Sequence, residues 1–137
     1  MTIFRCSAVL HSAILLALSA PLAGAQDIAV PSGQAITQSE VIWETEDDTA
    51  EVWVRFRFVA PQIAGDAGIS FDQAAPDLLA LCETVAVPLI AADGRPVDIA
   101  VISLADQPIA FGELNSEVKQ YFEAYRVTDQ GCTPEGF

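Results

Sequence analysis

Trp53, Arg55 and Arg57 are the side chains of this sequence best suited to gripping another molecule. An indole and two guanidinium groups can stack on an aromatic ring and hold a carboxylate through paired N–H donors. They lie in the run Glu51-Val-Trp-Val-Arg-Phe-Arg-Phe-Val-Ala60, whose alternation puts Val52, Val54, Phe56 and Phe58 on one face of a strand. Trp53, Arg55, Arg57 and Val59 share the other face, a candidate groove for an acidic or aromatic-bearing partner. The simpler alternative is internal pairing with Asp or Glu on neighbouring strands, because the chain holds 19 acids against six cations.

Other chemistries find less support. The acidic stretch Glu44, Glu46, Asp47, Asp48 and Glu51 offers oxygen ligands for Ca²⁺, but its spacing matches no calcium loop and it lacks the glycine of such loops. A solvated turn explains it, and no metal ligands are assigned. Ser70 and Ser103 have no neighbouring His or Lys, and Gly-x-Ser-x-Gly, Gly-x-Gly-x-x-Gly and Walker sequences are absent. Paired carboxylates for glycoside hydrolysis are always available among 19 acids, yet nothing singles out two of them. No catalytic residue and no cofactor are assigned.

The N-terminus narrows the chemistry further. Arg5, the apolar run Ala8–Leu18 and the small residues Ala23-Gly24-Ala25 before Gln26 have the three parts of a secretory signal peptide. Cleavage after Ala25 is expected, which removes residues 1–25 and leaves 26–137 as one domain of 112 residues. The apolar run is shorter than the roughly 20 residues needed to span a bilayer, so no transmembrane anchor is expected after cleavage. His11, the only histidine, leaves with the signal, and with it Ser-His-Asp or Cys-His catalysis and His-ligated metals. Lys119 is the single lysine and hence the single Schiff-base candidate. Five cations against 19 acids give the remaining chain a net charge of −14, which argues against nucleic acid and anionic membrane surfaces. Solubility is the plain reason for such a charge.

Cys6 also leaves with the signal, so Cys82 and Cys132 remain and are expected to pair as one structural disulfide in an oxidising compartment, the periplasm or the medium. Closing a loop of this length stabilises a fold by roughly 4 kcal/mol on the chain-entropy argument.

The elements that must position these residues follow from pattern. Strands are expected at Ile36–Glu44 and Glu51–Ala60, then a helix over Asp77–Val87 with Leu78, Leu81, Cys82 and Val85 on its apolar face. Ser70 or Asp72 can cap it, Pro76 would sit in its first turn, and Pro88 should stop it or kink it into a short tail through Ala92. A central strand is expected at Val97–Leu104 and a shorter extended piece at Ile109–Phe111. Glu117–Val127 fits either period and is read as a helical turn passing into a strand at Tyr121–Val127. A turn at Thr128–Gly131 then leads to a closing strand, Cys132–Phe137. The sum is an α+β fold: a mainly antiparallel sheet of about five strands, one main helix on one face, and one disulfide joining that helix to the last hairpin. Phe56, Phe58, Phe122 and Tyr125 are read as core.

The run Trp53–Ile63, with Leu81-Cys82-Glu83, Val101–Pro108, Phe122–Arg126 and Gly131-Cys132, resembles a family of small exported bacterial proteins of unknown function. The resemblance implies an envelope or secreted setting and carries over no catalytic residue. The expected function is that of an exported, non-enzymatic domain binding a protein or envelope component through a sheet face or edge. A small-ligand module is the alternative, with a carboxylate hydrolase third.

Overall fold

The computed structural model describes residues 28–45 and 51–136. The expected signal segment and Glu46, Asp47 and Asp48 of the acidic turn lie outside them. Five strands form one sheet in sequence order: β1 (Thr37–Thr45), β2 (Val52–Val59), β3 (Ile99–Ala105), β4 (Gln120–Thr128) and β5 (Gly131–Pro134). Three of the four pairings are antiparallel, but β2 and β3 run parallel, so the sheet is mixed. The cause is the helical crossover between them, which returns the chain to the end of the sheet from which β2 started.

That crossover is longer than the periodicity suggests. Helix α1 (Phe71–Leu81) passes through a π-helical turn (Cys82–Ala86) into α2 (Val87–Asp93). Ser70 caps it reciprocally: its hydroxyl accepts from Gln73 N at 3.4 Å, while Gln73 Oε1 accepts from Ser70 N at 3.0 Å. With the cap at Ser70, Pro76 falls inside α1 and not in its first turn. Pro88 does not stop the helix; of the two expected outcomes the short tail is the one found, and it runs to Asp93. The wider π turn, closed by Val87 N donating to Cys82 O, makes Pro88 the start of a fresh α segment, where a missing N–H costs little. Gly94, left-handed at φ 82°, ends α2 by donating to Ile90 O. Gly68, before α1, admits no side chain, since a Cβ would lie 2.3 Å from Ala64 O.

The helix covers one face of the sheet. Val54, Phe56 and Phe58 of β2, Ala100, Ile102 and Leu104 of β3, and Tyr125 of β4 bury against Ala74, Leu78, Leu81, Cys82, Ala86 and Ile90. By length and composition Phe71–Asp93 could also cross a membrane; here its apolar face lies on the sheet. Cys82 and Cys132 are bonded, with 6.3 Å between their Cα atoms, and fasten the π turn to the β4–β5 hairpin. Asp77, fully buried, anchors the segment before β1. Its carboxylate accepts from Ser32 N at 2.8 Å, Ser32 Oγ at 2.5 Å and Gln34 Nε2 at 2.6 Å.

Two expectations are corrected beyond the helix. Ile109–Phe111 is a loop, held by the turn at Phe111-Gly112 and not by strand pairing. The strand expected at Tyr121–Val127 is present as Gln120–Thr128 after a turn at Ser116-Glu117, but its period sends Tyr121 and Tyr125 to the helix side and Phe122 to the opposite side, against the expectation that Phe122 is core. Phe122 is not core.

Breaking the Cys82–Cys132 bond by a double Cys→Ala change should lower stability by about 2–4 kcal/mol in urea denaturation. Asp77→Ala, which strands three donors, should cost about 2–4 kcal/mol and speed amide exchange at Ser32, a combination that generic core loosening would not confine to residues 28–35. Burial, with Glu123 and Glu83 nearby, pushes the Tyr125 phenol well above its ordinary value. The folded state thus keeps this proton after the unfolded chain loses it, so Tyr125 contributes fully below about pH 10 and progressively less above it. Between about pH 9 and 11, Tyr125→Phe should lose less stability than the unaltered protein.

Candidate functional site

Among the described residues no helix or second sheet covers the sheet face away from the helix, and the strand registers line up its side chains in transverse rows. Glu40, Arg57, Ser103 and Phe122 form one row across β1 to β4; Ile42, Arg55, Val101 and Ala124 form the next. Glu44, Trp53, Ile99 and Arg126 form the third. Ile99, Val101 and Ala124 are buried as a second, smaller cluster with Trp53 against it.

The two arginines are held from β1. Arg57 Nη1 donates to Glu40 at 2.7 Å, directly across the strands, and Arg55 Nε donates to Glu44 at 2.8 Å, one position diagonal. The β3–β4 loop then closes over them. Arg57 Nη2 donates to Ile109 O at 2.8 Å, and the Phe111 ring sits 5.7 Å from the Arg55 guanidinium and 5.8 Å from that of Arg57. Lys119 Nζ donates to Gly65 O, and Asp106 N to Lys119 O, which fixes the loop at its far end. Internal pairing with neighbouring glutamates is therefore what occupies these two residues first.

What remains open lies between the loop and β2–β4. A cleft of about 150 Å³ is lined by Arg55, Arg57, Val101, Ser103, Phe111 and Phe122. A second, of about 280 Å³, shares Arg57, Ser103 and Gln120 with it and continues toward Ser39 and Glu40. No hydrogen bond among the described residues engages Ser103 Oγ or the Gln120 amide. Phe122 is 65% exposed at this site, Phe111 53%, and Leu114, farther along the loop, 99%. Trp53 lines neither cleft; it stands one row beyond Arg55, in the row with Arg126. That arginine is clamped by Glu135 at 3.0 Å and Glu51 at 3.0 Å, and both hydrogen bonds raise its already high pKa. So the structure keeps Trp53, Arg55 and Arg57 on one face, and brings Phe111 and Phe122 to the two arginines but not to Trp53.

Glu40, Glu44, Glu51 and Glu135 each hold an arginine, and Ser103 has Arg57 and Phe122 as its row neighbours. Glu44 and Glu51, the described ends of the acidic turn, point to different arginines. No cluster of three or more His, Cys, Asp or Glu side chains able to hold a metal occurs among the described residues.

Sequence reasoning missed Phe111 and Phe122 as surface aromatics and Glu40 and Glu44 as the arginine partners. Period two applied to Tyr121, Glu123, Tyr125 and Val127 already implied that Phe122 faces the other way. The partners depended on a bulge between Gln38 and Glu40 that shifts the register and has no sequence mark.

Comparison with curated proteins and with solved structures found no match to this chain. The profile of one family does match, over residues 13–137, and on that extent the chain belongs to the family of unknown function DUF6497.

Proposed function

We propose that this protein is an exported, non-catalytic binding domain that docks a protein or envelope component on its uncovered sheet face. The carrying observation is Phe122: a large apolar side chain in mid-strand, 65% exposed, beside the Phe111 ring and the cleft over Arg55 and Arg57. A soluble chain with a net charge of −13 has ample polar material with which to cover such a position. Aromatic and arginine side chains placed together are the residues on which protein interfaces concentrate binding energy. Protein docking is preferred to small-ligand binding because the two clefts over the arginines are small, at about 150 and 280 Å³, and the larger hollows, about 460 Å³ along residues 113–116 and about 330 Å³ at residues 28–35, are open surface depressions and not enclosed sites. Export rests on the signal-like N-terminus, and the Cys82–Cys132 bond supports an oxidising compartment, periplasm or medium.

The test is site-specific photo-crosslinking in the producing cells, with benzoylphenylalanine in place of Phe122 or, as control, of Leu89, which is exposed on the helix. A discrete adduct from position 122 and none from position 89 is expected. Phe111→Ser should weaken that adduct at least tenfold, about 1.4 kcal/mol, while leaving stability within about 0.5 kcal/mol. Equal labelling from both positions, or none from 122, would reject the reading.

A further inference from the structure

A different part of the sheet carries a second inference. β1 is an outer strand, and the direction of its backbone groups follows from its neighbours. Val52 O accepts from Asp98 N and Ala60 N donates to Ala105 O, so even-numbered residues of β2 bond toward β3. Odd-numbered ones therefore bond toward β1, in keeping with the Ser39 hydroxyl on Arg57 O. Their register partners Glu40, Ile42 and Glu44 bond inward, which turns the N–H and C=O groups of Val41 and Trp43 outward. No turn, loop or side-chain hydrogen bond among the described residues reaches those groups. The opposite edge is blunted: β5 has four residues and ends at Pro134, which has no N–H.

Side chains along β1 state what could lie beside it. Glu40, Ile42 and Glu44 belong to the rows of the uncovered face, and the Glu40 side chain is 48% exposed. Val41 and Trp43 pack at the margin of the main core, with the Arg95 guanidinium 3.5 Å from the Trp43 ring. An added strand would thus meet Glu40 and Glu44 flanking Ile42 on one face, each with one carboxylate oxygen on its arginine and the other free of hydrogen bonds among the described residues, and Val41 and Trp43 with Arg95 on the other. A second copy of the chain fits poorly. Antiparallel self-pairing centred on Ile42 sets Glu40 of one copy against Glu44 of the other, and joins two chains that each carry −13. The geometry points to β1 as the acceptor for an extended segment of a partner protein, with basic residues at alternate positions, joined as a sixth strand. The overall charge would speed the encounter with such a segment.

The probe is a synthetic peptide, acetyl-Lys-Val-Lys-Ile-Lys-Val-Lys-amide, added to the purified protein while amide exchange is followed residue by residue. Exchange at Val41 and Trp43 should slow at least about tenfold and recover as NaCl is raised. The same peptide with Glu for Lys, and the basic peptide N-methylated on the amides of one edge, should have no effect; both controls leave the protein unaltered, so no folding defect can mimic them. An equal effect from either control, no slowing at Val41 and Trp43, or slowing that follows protein concentration without peptide would each overturn the inference. The Phe122 crosslink is read at another surface, so failure here leaves the open-face reading standing, and the reverse.

Discussion

A sheet has two faces, and the described residues supply one helix to cover them. That imbalance governs the rest of the structure. The helix-facing side takes the large side chains, Phe56, Phe58, Ile102 and Leu104 among them, and loses nearly all contact with solvent. The other side must be made tolerable to water with what the strands themselves carry. It is handled by ion pairs laid across the strands, Arg57 to Glu40, Arg55 to Glu44 and Arg126 to Glu51 and Glu135, and by a loop that places Phe111 on the two central arginines. Such partly exposed pairs add little stability singly. Their effect is to cover the small Ile99, Val101 and Ala124 cluster with polar groups while leaving the edge of the face near Phe122 uncovered.

The helix is the one cover among the described residues, and its attachment is reinforced at two points that pure apolar contact would not require. The disulfide ties its π turn to the last hairpin, and the Asp77 carboxylate ties α1 to the segment leading into β1. The first restricts the unfolded chain, and the second makes a buried charge acceptable by giving it three donors. The π turn serves the same attachment. It lets the helix pass Pro88 without ending, which carries Ile90 onto the sheet.

Much of this was legible in the residues. The alternation of β2 named the correct inward set, Val54, Phe56 and Phe58, and the cysteine count named the bond. Continuous β-branched character marked β3 as central, which its burial on both faces explains. Other features were hidden for definite reasons. The parallel pairing of β2 with β3 is a property of where a helix returns the chain, although the helix between the two strands was itself the signal. Pro88 reads as either a stop or a kink, and what local rules do not supply is the π turn before it that decides for the tail. Phe122 was assigned to the core by its type alone, when its strand parity placed it outside. The arginine face was half-read: Trp53, Arg55 and Arg57 do share it, but the cleft opens on the arginine side, away from Trp53, and Phe111 arrives from a loop no local pattern could place.

The claim that the uncovered face is a docking surface is tested most directly by hydroxyl-radical footprinting of Phe122, in the isolated protein and again in the producing cells. The account predicts ready oxidation of Phe122 in isolation and its protection in the cells, with Leu89 on the helix oxidised equally in both. Equal oxidation of Phe122 in the two settings would contradict it.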